Sequence, residues 1–231
     1  MSKSSLSRWS KALLDAAVIV GSILLAFGID AAWDARSEGR VRDAFTLAIS
    51  QEMTLALSEA DRVAGSHQGG LEAAVALLSY DPSTPLDPTD APTVDSLLTT
   101  VLSNTASYDA STGALNGLLM SGDIDLLDEP ELLAGLTAFP ALVADLDREQ
   151  RLLLERVGLL MPYLGSNGVD VSQLEVESDV PWDLAPTTAY LIVGDAQFRG
   201  IIDEIYSRYR NSSEILEDLR EGIERIQSLL D

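Results

Sequence analysis

The chain has 231 residues, 46% of them hydrophobic and 23% charged, with a formal net charge of −22. That is enough apolar material for a sizeable core, so global disorder is excluded, and so strong an acidic excess argues against nucleic-acid binding, which depends on Lys and Arg neutralising phosphates. There is no cysteine and one histidine, which removes disulfides, thiolate nucleophiles and the usual zinc sites built from two or three His or Cys ligands.

The first 33 residues hold Lys3, Arg8 and Lys11 against Asp15 and Asp30, whereas residues 34–231 carry 12 basic and 35 acidic residues. A short basic tail, 1–12, precedes an uncharged run of 14 residues from Ala16 to Ile29. Leu13 to Trp33 gives about 31 Å of helix, the length of a bilayer span, and Trp9, Asp15, Asp30 and Trp33 flank it as interfacial residues do. A buried soluble helix and a signal peptide cut near Ile29-Asp30-Ala31 are the rival readings. Helical spacing continues through that cut at Val41, Phe45, Ile49, Met53, Ala56, Ala60 and Val63, so residues 13–33 are expected to be a retained, single-pass signal anchor. The dense basic tail predicts a cytoplasmic N-terminus, with the acidic domain exported across the inner (plasma) membrane. On a helix, Ser22 and Ala26 fall on one stripe with Asp15 and Asp30. The two aspartates then sit at headgroup depth, or the stripe packs against another helix.

Residues 34–231 read as an acidic helical domain. Its pattern is helical to about Tyr80, with a weak place at "GSHQGG", residues 65–70, where glycines lower helix propensity. The Pro-rich "DPSTPLDPTDAPT" predicts a loop over about 81–92, after which Thr93 caps a short helix to Ser103. A further helix is expected from Ser111 to Ser121, stopped by Gly122 in the left-handed conformation. "DEPE", residues 128–131, predicts a helix start, with Asp128 as cap, Pro130 in the first turn and Glu131 reciprocating. That helix carries a leucine face, kinks at Pro140 and ends before a loop at about 165–186, where Trp182 is a candidate plug. The last helix starts at the cap Asp195 and repeats Phe198, Ile202, Ile205, Tyr209, Leu216, Leu219, Ile223, Ile226 and Leu230 every three or four residues, broken only by Ser212. Such a seam needs a partner. An antiparallel intramolecular bundle is the economical one, with a homotypic coiled coil as the alternative. The fold class expected is therefore all-α, a transmembrane helix continuing into an antiparallel helical bundle.

Three stretches carry a resemblance: "FGIDAAWDAR", the central "SYDASTGALNGLLMSGDIDLLDEPELLAGL" and the late "DAQFRGIIDEIYSRYRN". Together the chain resembles a family of bacterial single-pass membrane proteins grouped as a domain of unknown function. It departs from that pattern at Phe139 and Pro140, where an aromatic helix would continue. The resemblance implies an N-terminal anchor with a helical extracytoplasmic domain, and it brings no catalytic residue.

Reactive constellations are weak. Any Ser-His-Asp triad would need His67, and there is neither a G-x-S-x-G elbow nor an S-x-x-K set. His67 lies four residues after Val63 and four before Leu71, the inward face, where a satisfied structural histidine is expected. "GDIDLLDEPE" does not meet the calcium-loop pattern, because Leu126 and Leu127 interrupt its ligand positions. No carboxylate pair is singled out for glycoside hydrolysis, and the Asn211 sequon lies inside a helix. No catalytic residue, metal or cofactor is therefore assigned. The function expected is a membrane-anchored helical interaction or scaffold module of the bacterial envelope; the alternative is an extracytoplasmic ligand-sensing bundle that signals through a partner. Expected partners are the lipid bilayer and another membrane protein, or a second copy meeting through the anchor or the final helix.

Overall fold

The computed structural model describes residues 4–122, 124, 127, 129–174 and 186–230, apart from the side chains of 4–23, 26, 29, 31, 32, 34 and 35. Among the described residues the chain is all-helical, without strands. Five α-helices follow in order: α1 (Ser4–Ser79), α2 (Ala91–Ser103), α3 (Gly113–Ser121), α4 (Pro130–Ser166) and α5 (Ala196–Leu230). Short 3-10 turns lie at Pro88–Asp90, Val171–Gln173 and Ala189–Ile192.

The apolar repeat of α5 organises the rest. Phe198, Ile202, Ile205, Tyr209, Leu216, Leu219, Ile223 and Ile226 are all buried, at the three-four spacing that lines one face of a helix. α5 lies between α1 and α4, and its contacts with both run in reverse order. Along α1, Arg199 donates to the carbonyls of Leu78 and Tyr80, Ser212 meets His67, Arg220 pairs with Asp61, and Gln227 reaches Thr54. Along α4, Tyr163 bonds Asp195, Arg156 pairs with Glu204, Arg208 with Glu149, and Gly135 faces Ile226. The apolar interior divides into two clusters. One is built around Leu77, Leu98, Leu160, Ile202 and Ile205, and the other around Ile49, Met53, Leu118, Leu136 and Leu219.

Local starts and stops follow capping chemistry, with some departures from expectation. Asp195 Oδ1 accepts from the Gln197 and Phe198 N–H groups at 2.8 and 3.1 Å, the cap the sequence predicted. Gly122 ends α3 at φ 79°, also as predicted. α2 begins earlier than a Thr93 cap would place it. Asp87 and Asp90 bond each other's backbone to open the 3-10 turn, and that turn runs straight into Ala91. At the start of α4 the cap position belongs to Glu129, which makes no side-chain cap bond, while Asp128 lies outside the described residues. α4 continues through Pro140 to Ser166, beyond the expected boundary at 165, and Trp182 lies outside the described residues.

The helix end that the weak place at residues 65–70 would permit does not occur, because α1 is one helix through Ser79. Its glycines disfavour helix by about 1 kcal/mol each, yet Gly70 lies beneath the ring of Tyr209. A Cβ built there would stand 2.3 Å from Tyr209 Cζ. The bare backbone lets the ring pack closely, and the Tyr209 hydroxyl donates to the Val101 carbonyl at 2.8 Å. Tertiary packing therefore overrides the local propensity.

The membrane placement requires correction. Among the described residues no helix is long and apolar enough to cross a membrane, so the single-pass anchor at 13–33, the inner-membrane location and the cytoplasmic N-terminus are withdrawn. Beyond Trp33 the same helix carries Asp34, Arg36, Glu38, Arg40, Arg42 and Asp43, charges that a hydrocarbon layer does not accept without large cost.

Two glycines give opposite expectations in urea unfolding of the full chain. Gly70→Ala should destabilise it by about 1–3 kcal/mol, because the held Tyr209 ring cannot give way. Gly158→Ala, where a Cβ would meet nothing within 4 Å, should stabilise it by about 1 kcal/mol through helix propensity. The same sign at both positions would contradict the packing described.

Candidate functional site

The side chains of Trp9, Asp15, Ser22 and Ala26 lie outside the described residues, so the pairing stripe is not placed. Asp30 is exposed and Trp33 is 68% exposed. Leu24, Leu25 and Phe27 are also exposed, at 65–67%. Among the described residues, none of α1 before Phe45 packs against either core cluster. The α5 seam, by contrast, is occupied inside the chain.

His67 lies on the inward face, as its spacing predicted, and is fully buried. Its Nε2 lies 2.9 Å from the Ala106 carbonyl and its Nδ1 lies 3.0 Å from Ser212 Oγ. Because a carbonyl only accepts, the proton sits on Nε2, and Nδ1 accepts from the Ser212 hydroxyl. Tyr209 meets the ring edge-on at 5.7 Å between centroids. Ser212, the polar break in the α5 seam, is thus the partner of the only histidine. Burial depresses the His67 pKa below 6.5, the Ala106 bond opposes that shift, and the charge of Arg62 adds to it. A serine hydroxyl donating to an imidazole has the form of a nucleophile and its base, but both residues are at 0% exposure. Their position suits a sealed structural contact.

The carbonyl on His67 belongs to an irregular segment, residues 104–112, that joins α2 to α3. Backbone groups of this strap are held by side chains of the long helices. Arg62 Nη2 donates to the Ser107 carbonyl at 3.0 Å, and the Tyr108 N–H donates to Gln150 Oε1 at 3.1 Å. The Asp109 backbone bonds Glu59, whose pKa is lowered chiefly by its bond to Arg62. Just beyond the strap, Glu52 accepts from the Ala114 and Leu115 N–H groups at 2.6 and 3.0 Å. Glu52 thereby caps α3, where Thr112 makes no side-chain cap bond. The strap has little secondary structure of its own to satisfy its peptide groups, so α1 and α4 supply the partners.

Tyr108 occupies the middle of the strap. Its hydroxyl and the Nε2 of Gln150 are buried with no hydrogen-bond partner among the described residues. Burial raises the Tyr108 pKa to about 12, with the charge of Glu59 adding to the shift. On the outer side, Tyr108, Asp109, Ala110 and Thr112 face Asn116, Pro140, Val143, Ala144 and Asp147 across a cleft of about 360 Å³. Four of these nine residues come from the strap, within the central stretch "SYDASTGALNG". Spacing could not single out Glu52, Glu59, Arg62 or Gln150, because each matters through a backbone group far away in sequence, and it marked Ser212 only as the break in the α5 repeat. Among the described residues no group of three or more His, Cys, Asp or Glu could hold a metal ion.

No family model, no curated protein and no solved structure matches the chain. The site is therefore interpreted from its own chemistry.

Glu52→Ala should lower stability by roughly 1 kcal/mol, the usual cost of a lost N-terminal cap, and should raise amide exchange at Ala114 and Leu115 first. Unchanged exchange at those two amides would show that Glu52 does not hold the start of α3.

Proposed function

We propose that the chain is a helical interaction or scaffold module, in which an antiparallel bundle carries an apolar helical extension that pairs with another helix. The reverse order of the α5 contacts along α1 and α4 supports the bundle reading. One observation carries the interaction reading: Leu24, Leu25, Phe27 and Trp33 are each at least 65% exposed on a stretch of α1 that leaves the core uncovered. Burying a large apolar side chain contributes about 1.5–3 kcal/mol, so four together favour association strongly. The buried His67–Ser212 contact supports a structural role over a catalytic one.

Purified full-length chain should associate through this stretch, giving a sedimentation-equilibrium mass that rises with concentration above 24.8 kDa. Phe27→Asp should restore the monomer mass without changing the helical circular dichroism. A wild-type chain that stays at the monomer mass throughout the concentration series would remove the self-pairing form of the proposal.

The cleft beside Tyr108 supports a second reading, a ligand-sensing module. Its volume of about 360 Å³ falls within the range of small-molecule sites. A small molecule bound there should raise the melting temperature with saturation, and Asn116→Leu should abolish the rise. A rise that survives this substitution would place the ligand elsewhere.

A further inference from the structure

We propose that residues 104–112 form a strap whose closure over the α1–α5 seam is controlled by protonation of His67, so that the Tyr108 cleft opens as the pH falls below neutral. In the closed arrangement both nitrogens are satisfied by the neutral imidazole, Nε2 donating to Ala106 and Nδ1 accepting from Ser212. A protonated ring has two donors, so the Ser212 bond would have to reverse and its hydroxyl hydrogen would need a new acceptor.

The surroundings offer the cation no compensation. From α1, Arg62 presents a like charge, itself bonded to Glu59. From α5, Tyr209 presents its ring, and the nearby Arg208 is engaged with Glu149 of α4. The strap carries Tyr108 and Asp109 beyond Ala106, and the residue that follows α2 is the uncharged Asn104. Among the described residues no carboxylate hydrogen-bonds the ring. A buried cation so placed is relieved by reaching water.

The strap is the part that can yield. α1 and α5 are held on both sides of His67 by buried Val63, Tyr209 and Leu216. The strap is irregular and attached mainly through individual side-chain bonds, and local opening is drawn from segments of that kind. Lifting it frees the Ala106 carbonyl, exposes Nε2 to water and removes the Tyr108 wall from the cleft. The sign follows from linkage. Closure favours the neutral ring, whereas an opened ring titrates near its ordinary value of 6.5. Closure is therefore fully favoured above 6.5 and is lost as the pH falls from there toward the closed-state value. Between about pH 7.5 and 5.5 the open fraction should rise, by at most about tenfold.

Amide exchange on the full chain tests this directly. Protection factors at Tyr108 and Asp109 should fall over that interval, by at most about tenfold, while Leu153 and Leu219 on the helical seams hold constant. His67→Gln keeps a donor for Ala106 and an acceptor for Ser212 but cannot titrate, so its strap protection should be flat. His67 is the only histidine, so its ring resonances report its charge without ambiguity even if the Gln variant does not fold. Unchanged strap protection, an equal loss at the seam amides, a Gln variant with the same fall, or a ring that charges near 6.5 while the strap stays protected would each overturn the proposal.

Discussion

The apolar seam of α5 is the constraint on which the other elements depend. A helix of 35 residues with nine buried positions along one face cannot stand alone in water, and covering that face requires two long partners. α1 and α4 supply them, with small residues where approach is closest. Gly70 admits the Tyr209 ring, and Gly135 lies against Ile226. The hydrophobic term is non-directional, so it accounts for the assembly but not for its register.

Register comes from the polar groups set among the apolar ones. Ser212 meets His67, Arg208 meets Glu149, and Tyr209 meets the Val101 carbonyl. Sliding α5 by one turn would leave each of these partly or fully buried groups without its partner, at a cost of about 1–3 kcal/mol apiece. The same band of polar residues marks the level at which the two apolar clusters divide, and there the strap crosses. A segment without regular hydrogen bonding can be placed against a protein interior only where side chains satisfy its peptide groups. Glu59, Arg62, His67 and Gln150 do so from two different helices.

This arrangement connects fold to function through what it leaves uncovered. The seam is consumed internally, whereas α1 upstream of Phe45 leaves Leu24, Leu25, Phe27 and Trp33 exposed. The cleft on the outer side of Tyr108 is another place where the bundle presents a shaped surface to solvent. Stability elsewhere is redundant, being spread over many apolar contacts, while the strap is held by a handful of bonds, one of them made by His67, whose pKa burial lowers below 6.5.

Much of the helical layout was legible because capping and periodicity are local. Asp195 as cap, Gly122 as stop and the spacing from Phe198 to Ile226 each depend on residues within a turn or two of one another. The inward position of His67 was legible for the same reason. Where local and long-range forces compete, the sequence was a poor guide. The glycines at 65–70 weaken a helix in isolation, and only the packing of Tyr209 on Gly70 explains why α1 runs on. Residues 13–33 were read from hydropathy as a membrane span, a reading withdrawn because no described helix is long and apolar enough to cross a membrane. The strap was legible as the gap between helices ending at Ser103 and starting near Ser111, but the bonds that hold it were not. Glu52 reaches Ala114 across 62 positions and His67 reaches Ser212 across 145, and a hydrogen bond depends on where two groups lie in space, which the tertiary fold decides.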